Sequence, residues 1–207
     1  MTQEDIIREE NEVIYMLIAK GMNNEAYDRA MRNVDRAGTV NSSTLEGNCA
    51  YVLGRAAHES GRHAVAIMAY SRAAGIALEL GNQIEFGKIQ ISLATCFLET
   101  PEGDRKSNLE KAIACQVDAL KTNTEQSRPL DFAKLQFNMG YEYTELVSNF
   151  GQPYQSYARS CFGNAHRAFR SLRMETEADN AMQAIRAIEM SNKIIPNIFR
   201  FFARLFK

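Results

Sequence analysis

The side chains best suited to metal binding or catalysis are scattered along this sequence. The three histidines are His58, His63 and His166. His58 and His63 stand on either side of Gly61, and His166 is far along the chain, so no two histidines have the helical spacing that binds zinc. The sequence also contains no glycine-rich phosphate loop and no nucleophile elbow. We therefore expect neither a metal nor a cofactor.

Carboxylates and thiols give no stronger indication of an enzyme. Glu142 and Glu145 are close enough on a predicted helix for acid–base catalysis, but such pairs are more typical of a solvated helix surface. The cysteines occur singly, without the close pair that metal and redox sites use: Cys49, Cys96, Cys115 and Cys161. We interpret them as buried free thiols of a reducing cytosol and expect a non-enzymatic protein.

Composition and charge indicate a soluble globular protein without a general attraction to nucleic acid. The chain has 207 residues, of which 45% are hydrophobic, and its 24 Lys and Arg against 25 Asp and Glu leave a net charge of −1. No apolar run approaches the ~18 residues of a membrane span. The N-terminus lacks a signal-peptide pattern. We expect a cytoplasmic location.

Helical periodicity extends along the whole sequence, and no strand-like alternation of useful length interrupts it. This pattern predicts an all-α fold. Thr2 is the predicted N-cap of the first helix, and Asn23 or Asn24 that of the second. Four glycines mark predicted helix ends: Gly21, Gly38, Gly61 and Gly81.

One arrangement of large and small residues recurs along these helices. It is complete between residues 47 and 81, where its members are Leu53, Gly54, Ala57, Gly61, Ala66, Tyr70 and Ala73. Leu93-Ala94 and Met139-Gly140 repeat its opening pair downstream. Small residues at fixed positions let two helices pack closely as a hairpin that stacks on the next hairpin. The pattern therefore indicates a helical repeat protein.

At these positions, residues 47–81 resemble a tetratricopeptide repeat, although Ala50 replaces the family's opening aromatic residue and the closing proline is absent. Residues 109–120 resemble the family's second helix, and residues 136–143 its first. The 40 residues between Gly54 and Ala94 exceed the family period of about 34, and we attribute the excess to insertions in the turns. The resemblance implies antiparallel helix hairpins stacked as a right-handed superhelix.

The expected organisation is one repeat domain, residues 1–192, followed by a C-terminal segment, residues 193–207. The domain comprises a degenerate hairpin, three repeats and a capping helix, at residues 1–40, about 45–81, 83–122, 130–172 and 175–192. Residues 100–107 are predicted to form a long turn within the second repeat, which is either a surface insertion or a segment that contacts a partner.

The resemblance also implies a groove lined by the first helix of each hairpin. Its predicted partner-binding residues form a basic and aromatic row: Tyr51, Arg55, His58, Lys88, Lys134, Phe137 and Tyr141. Such a row suits a peptide with a carboxylate and an apolar anchor, because arginine forms directional bonds and tyrosine buries area at low entropic cost. Alternatively, the rings pack against neighbouring helices and the lysines are only solvated. On the first interpretation, the protein is a scaffold or adaptor that binds a segment of a protein partner.

The C-terminal segment carries four bases and no acid. Pro196 suits the first turn of a short helix with an apolar and a basic side, which would present Phe199, Arg200, Phe202, Arg204 and Phe206. This helix would cap the last repeat, lie in a membrane interface with ~1 kcal/mol per basic residue from anionic lipid, or dock in a groove of a partner or sister subunit. The alternative function is thus that of a peripheral membrane protein, and an oligomer is compatible with the third arrangement.

Overall fold

The computed structural model describes residues 1–150 and 154–190. These residues contain α-helices and no strand, which confirms the predicted fold class. The helices are α1 (Gln3–Ala19), α2 (Asn23–Ala37), α3 (Ser43–Glu59), α4 (His63–Glu79), α5 (Gln83–Glu99), α6 (Arg105–Leu120), α7 (Pro129–Phe150), α8 (Gln155–Ser171) and α9 (Glu175–Met190). Within the described residues, no helix is both long enough and apolar enough to span a lipid bilayer.

The helices belong to two compact units, Met1–Ala119 and a second unit that begins at Leu120. In the first unit, each helix from α1 to α5 packs against the next, and α1 also packs against α3. The Lys111 ammonium of α6 lies 5.6 Å from the centre of the Phe97 ring of α5. In the second unit, α8 packs between α7 and α9. Both units are therefore built from consecutive antiparallel helices.

The first five helices begin at residues 3, 23, 43, 63 and 83, a regular step of 20 residues. Helices α3, α4 and α5 each have 17 residues. The turns between them are residues 60–62 and 80–82 and contain no insertion. The attribution of the 40-residue period to inserted turns is therefore wrong for this interval: the additional residues lie in the helices.

Tight turns after α1, α3 and α4 contain the predicted glycines in the left-handed region. Gly21, Gly61 and Gly81 have φ angles of +73°, +74° and +68°, which only glycine adopts without a steric cost. In the turn after α3, the Arg62 N–H donates to the Ala57 carbonyl at 2.8 Å, which closes a Schellman motif. The turn after α8 has the same hydrogen bonds, but Arg173 occupies the left-handed position with φ 59°.

The cap of α1 agrees with the prediction, and that of α2 does not. The Asp5 N–H donates to Thr2 Oγ1 at 3.2 Å, and the Thr2 N–H donates to Asp5 Oδ2 at 2.7 Å, which is a capping box. The N-cap of α2 is Met22, and no side chain caps this helix. The Asn23 amide instead donates to the Glu59 carbonyl of α3 at 2.7 Å, so this residue joins two hairpins.

Helix α6 begins at Arg105, four residues before the predicted start at Leu109. The reason is Asp104, whose carboxylate accepts a hydrogen bond from the Ser107 N–H at 2.8 Å and so acts as an N-cap. The Asn108 amide also donates to the Glu102 carbonyl at 2.7 Å and fixes the turn. The long turn predicted at residues 100–107 is therefore short.

The centre of each well-matched hairpin is a small residue that receives an aromatic ring. A Cβ on Gly54 would lie 2.6 Å from Tyr70 Cδ1, and a Cβ on Gly140 would lie 2.7 Å from Phe162 Cε1. In the first hairpin the large and the small residue have exchanged helices. Ile14 stands 40 residues before Gly54, and Ala30 stands 40 residues before Tyr70. Ile14 and Ala30 belong to one buried cluster. This exchange explains why residues 1–40 match the repeat pattern so poorly.

Candidate partner-binding face

Four of the predicted partner-binding residues lie on α3 and α5 of the first unit. Among them, Arg55 is partly buried, and its guanidinium carbon lies 5.3 Å from the centre of the Tyr15 ring of α1, within the range of a cation–π contact. Within the described residues, Arg55 forms no ion pair with a carboxylate. Helix α1 thus contributes an aromatic side chain to the face that α3 and α5 present. We call the surface of α1, α3 and α5 around Arg55 the Arg55 face.

Tyr15 was not predicted from the sequence, since no residue of α1 was placed in the row. The helix register provides the signal that would have found it, because Tyr15 precedes Arg55 by one 40-residue period. Burial, and then the neighbouring Tyr51, raise the pKa of Tyr15 to about 12. Tyr15 therefore remains a neutral phenol at physiological pH and offers an aromatic surface beside Arg55.

Tyr51 lies one helical turn before Arg55 and is partly buried. Its ring centre is 5.4 Å from that of Tyr70, with an angle of 54° between the ring planes. One side of the Tyr51 ring therefore packs against the neighbouring helix α4, as the alternative interpretation of the row predicted. The partial exposure leaves the rest of the ring on the Arg55 face.

His58 and Lys88 each lie beside an acidic side chain. His58 Nε2 is 2.9 Å from Glu99 Oε2, and the imidazole side chain is only 19% exposed. Lys88 Nζ is 3.2 Å from Glu85 Oε2 on the same helix. Helix α5 therefore places a carboxylate beside each of these two side chains, so this part of the face is less basic than the row predicted from the sequence.

Lys134, Phe137 and Tyr141 lie on α7 in the second unit. Lys134 is exposed. Phe137 is 2% exposed and packs edge-on against Phe162 and Phe169, at 5.6 and 6.0 Å between ring centres. Its assignment as a partner-binding residue is therefore wrong in this structure, because the ring fills the core of the second unit. Tyr141 is partly buried beside the same rings, and burial raises its pKa.

A small pocket with a cavity volume of about 40 Å³ opens where α3, α4 and α5 meet. Its walls include Gly47 and Tyr51 of α3, Ala77 of α4, and Glu85 and Ile89 of α5. Tyr51 therefore belongs both to this pocket and to the Arg55 face. We call this space the α3–α5 pocket.

The remaining reactive side chains do not form a centre. In residues 1–150 and 154–190, no three His, Cys, Asp or Glu side chains are placed to hold a metal ion. The four cysteines are free thiols, and Cys49, Cys96 and Cys161 are buried. Burial raises the pKa of both Cys96 and Cys161 to about 12, so these thiols are poor nucleophiles at neutral pH.

The residues predicted for a membrane-binding or partner-binding helix lie outside the described residues: Phe199, Arg200, Phe202, Arg204 and Phe206. The role of this segment therefore stays a prediction from the sequence.

Comparison with solved structures identifies the fold. BtubC (BKLC) from P. vanneervenii matches with a TM-score of 0.57 and 16% identity, covering 91% of this chain and 81% of that chain. A putative kinesin light chain of Podosopora anserina, with nearly identical TPR-like repeats, matches with a TM-score of 0.58 and 15% identity over 91% of this chain and 97% of that chain. No protein-family model and no curated protein matches the chain. These likenesses confirm a fold of tetratricopeptide-like (TPR-like) repeats.

Proposed function

We propose that this chain, with its TPR-like fold, is a non-enzymatic scaffold that binds a peptide segment of a protein partner on the Arg55 face. The observation that carries the proposal is the environment of Arg55, which contacts the Tyr15 ring and forms no ion pair within the described residues. Contact with a ring does not use the N–H donors of a guanidinium, so these donors stay available to a carboxylate. The expected partner segment is therefore acidic.

The aromatic neighbours of Arg55 supply the apolar part of this site. Tyr15 and Tyr51 are both partly buried, so much of each side chain is already fixed before a partner arrives. Tyrosine buries a large area with little loss of conformational freedom, which is why it is common at the centre of interfaces. In the adjacent pairs His58–Glu99 and Lys88–Glu85, a carboxylate lies beside each nitrogen base of the rim, which discourages non-specific binding of polyanions.

The test of binding begins with peptides selected from a random displayed library by the full-length protein. The affinity of a selected peptide is then measured by fluorescence anisotropy for the wild type, Arg55→Glu and Arg32→Glu. Arg32 is an exposed arginine of α2 and provides the matched charge reversal away from the face. We expect Arg55→Glu to weaken binding at least about tenfold and Arg32→Glu to leave it nearly unchanged. Equal affinities for all three proteins would contradict the assignment of the face.

Lys134 of α7 tests the second part of the predicted row. If the partner also contacts the second unit, Lys134→Glu will weaken binding of a longer partner segment but not of a short peptide bound at Arg55. The same anisotropy measurement with peptides of two lengths distinguishes these cases. Loss of binding by the short peptide would place Lys134 within the primary site instead.

A further inference from the structure

Helix α4 is apolar on all its sides, including the side that solvent reaches. Arg72 and Glu79 are the only Lys, Arg, Asp or Glu among its 17 residues. Its buried side packs against α3 and α5. A helix that is hydrophobic all round is normally covered on every side. On the exposed side of α4, five uncharged residues form what we call the α4 stripe: Ala64, Met68, Ser71, Gly75 and Leu78.

The α4 stripe combines two large exposed side chains with small residues. Met68 is 73% exposed and Leu78 is 48% exposed. A Cβ on Gly75 would meet no atom within 4 Å, so the surface beside this glycine is open. Consecutive members of the stripe are three or four residues apart and therefore lie on one face of the helix. This face offers both side chains that project and spaces that can receive them.

The sizes along the α4 stripe are complementary about its central residue, Ser71. Leu78 follows Ser71 by seven residues, and Ala64 precedes it by seven. Gly75 follows by four residues, and Met68 precedes by three. If two α4 helices pack antiparallel and cross at Ser71, Leu78 of each copy lies opposite Ala64 of the other, and Met68 lies beside Gly75. A surface that fits itself in this way is what an isologous dimer requires.

Charges at the two ends of α4 favour the same antiparallel arrangement. Arg62 is the N-cap and Glu79 the last residue of the helix, so each end carries the charge that the helix dipole disfavours. Within the described residues, Glu79 forms no ion pair. In the antiparallel pair, Glu79 of one copy lies at about the level of Arg62 of the other, so opposite charges meet at both ends. Arg72, beside the centre, already pairs with Glu46 of α3.

We infer that the α4 stripe binds the α4 stripe of a second copy of this chain, in an antiparallel dimer with its two-fold axis at Ser71. A contact of one helix per copy is smaller than the ~1,600 Å² of a standard interface, so the dimer forms reversibly and depends on concentration. The stripe lies on the side of α4 away from α3 and α5, so the Arg55 face of each copy stays uncovered. The dimer therefore presents two Arg55 faces.

The first test is sedimentation velocity of the full-length wild type, Met68→Glu and Met16→Glu over a range of concentrations. Met68→Glu places two carboxylates in the apolar contact and should raise the dissociation constant of the dimer at least about tenfold. Met16, on α1, is 54% exposed, and the matched substitution there should leave the dissociation constant unchanged. Circular dichroism and thermal unfolding establish that both variants are folded.

Cysteine substitutions test the direction of the pair. The two copies of Ser71 lie together at the axis, so Ser71→Cys should form a disulfide-linked dimer under mild oxidation. The two copies of Gly75 are about 12 Å apart along the helices at 1.5 Å per residue, which is beyond the reach of a disulfide, so Gly75→Cys should not cross-link. The wild type is the control for the native cysteines, of which Cys49, Cys96 and Cys161 are buried.

Three results would each overturn the inference. The first is a wild type that stays monomeric at its highest soluble concentration. The second is a dimer that Met68→Glu leaves intact, because the copies would then associate through another surface. The third is equal cross-linking of Gly75→Cys and Ser71→Cys, which would show a parallel pair. Peptide binding at Arg55 is tested independently of all three.

Discussion

Gly54 of α3 and Tyr70 of α4 are in such close contact that a Cβ on Gly54 would lie 2.6 Å from Cδ1 and 2.7 Å from Cε1 of the tyrosine ring. Tyr70 is only 2% exposed, so its ring has no free volume to move into. The glycine thus allows the two helices of the hairpin to approach, and the ring fills the space that a larger residue on α3 would occupy.

Gly54→Ala should therefore destabilise the first unit by about 1–2 kcal/mol, because overpacking outweighs the gain of about 1 kcal/mol in helix propensity. Gly75→Ala is the matched control, since Gly75 lies within α4 with no neighbouring side-chain or backbone atom within 4 Å of a Cβ. That substitution should be stabilising. Urea unfolding measures both. In a Tyr70→Ala background, the cost of Gly54→Ala should vanish, and a persistent cost would show that the ring is not its cause.

Arg173 occupies a left-handed position that the three equivalent turns give to glycine. We expect Arg173→Gly to raise the thermal unfolding midpoint of the second unit, because relief of the steric cost is worth about 1 kcal/mol. Gly61→Ala should lower stability by a similar amount, since no atom lies within 4 Å of a Cβ at Gly61 and only the backbone conformation opposes the change. Shifts of the same sign in the two variants would contradict this explanation.

Asn33 is fully buried and joins α2 to α1 through its amide. Its Nδ2 donates to the Ile7 carbonyl at 3.0 Å and to Asn11 Oδ1 at 2.9 Å. Asn33→Ala should lower the free energy of unfolding by about 1–3 kcal/mol, because a buried acceptor loses its donor. Asn33→Asp should cost more, since a carboxylate would face two acceptors. Urea denaturation measures both, and an aspartate variant as stable as the wild type would exclude a donor role for Asn33.

Stability should decrease above about pH 9 because buried thiols resist ionisation. The pKa of Cys96 is raised from 9.0 to about 12 by burial and then by Glu99, and that of Cys161 is raised from 9.0 to about 12 by burial and then by Glu142. The unfolded chain releases these protons at lower pH than the folded chain, so each thiol lowers stability by up to about 1.4 kcal/mol per pH unit between pH 9 and 12. Below pH 9, the contribution is constant.

Urea unfolding between pH 8 and 10 measures this dependence for the wild type and for Cys96→Ala. The variant should be less stable at pH 8, because the substitution leaves a cavity, but its stability should decline less steeply with pH. Parallel pH profiles would mean that Cys96 ionises equally in the folded and unfolded states. The slope that remains comes from Cys161 and, towards pH 10, from Tyr15, Tyr70 and Tyr141, whose pKa values are also raised by burial.

Local features of the fold were predictable because short stretches of sequence decide them. The capping box at Thr2 and the glycine turns at Gly21, Gly61 and Gly81 depend on residues within one or two helical turns. The predicted start of α6 was wrong because Asp104 was not recognised as the N-cap of this helix. The assignment of Asn23 as an N-cap was wrong for a different reason. Its side-chain amide donates to the Glu59 carbonyl, which is distant in sequence.

The candidate site was predictable only in part. Arg55 and Tyr51 could be assigned to the candidate face because a resemblance to a repeat assigns faces to positions on a helix, and their role in binding stays a prediction. Phe137 was placed on the same face, but it lies in the core because Gly140 brings α8 close enough for Phe162 to reach it. Tyr15 was missed because the first hairpin does not show the repeat pattern: Ile14 and Ala30 stand where the second hairpin has Gly54 and Tyr70.

By itself, the sequence determined the all-α repeat fold and the positions of most helices, because periodicity, caps and glycines act over a few residues. Only the tertiary structure decided that Glu99 lies beside His58, that Arg55 lies over Tyr15, and that a pocket opens beside Gly47. These properties depend on side chains that are 40 residues apart in the chain, such as Arg55 and Tyr15. Their distances are set by helix packing, which no local pattern specifies.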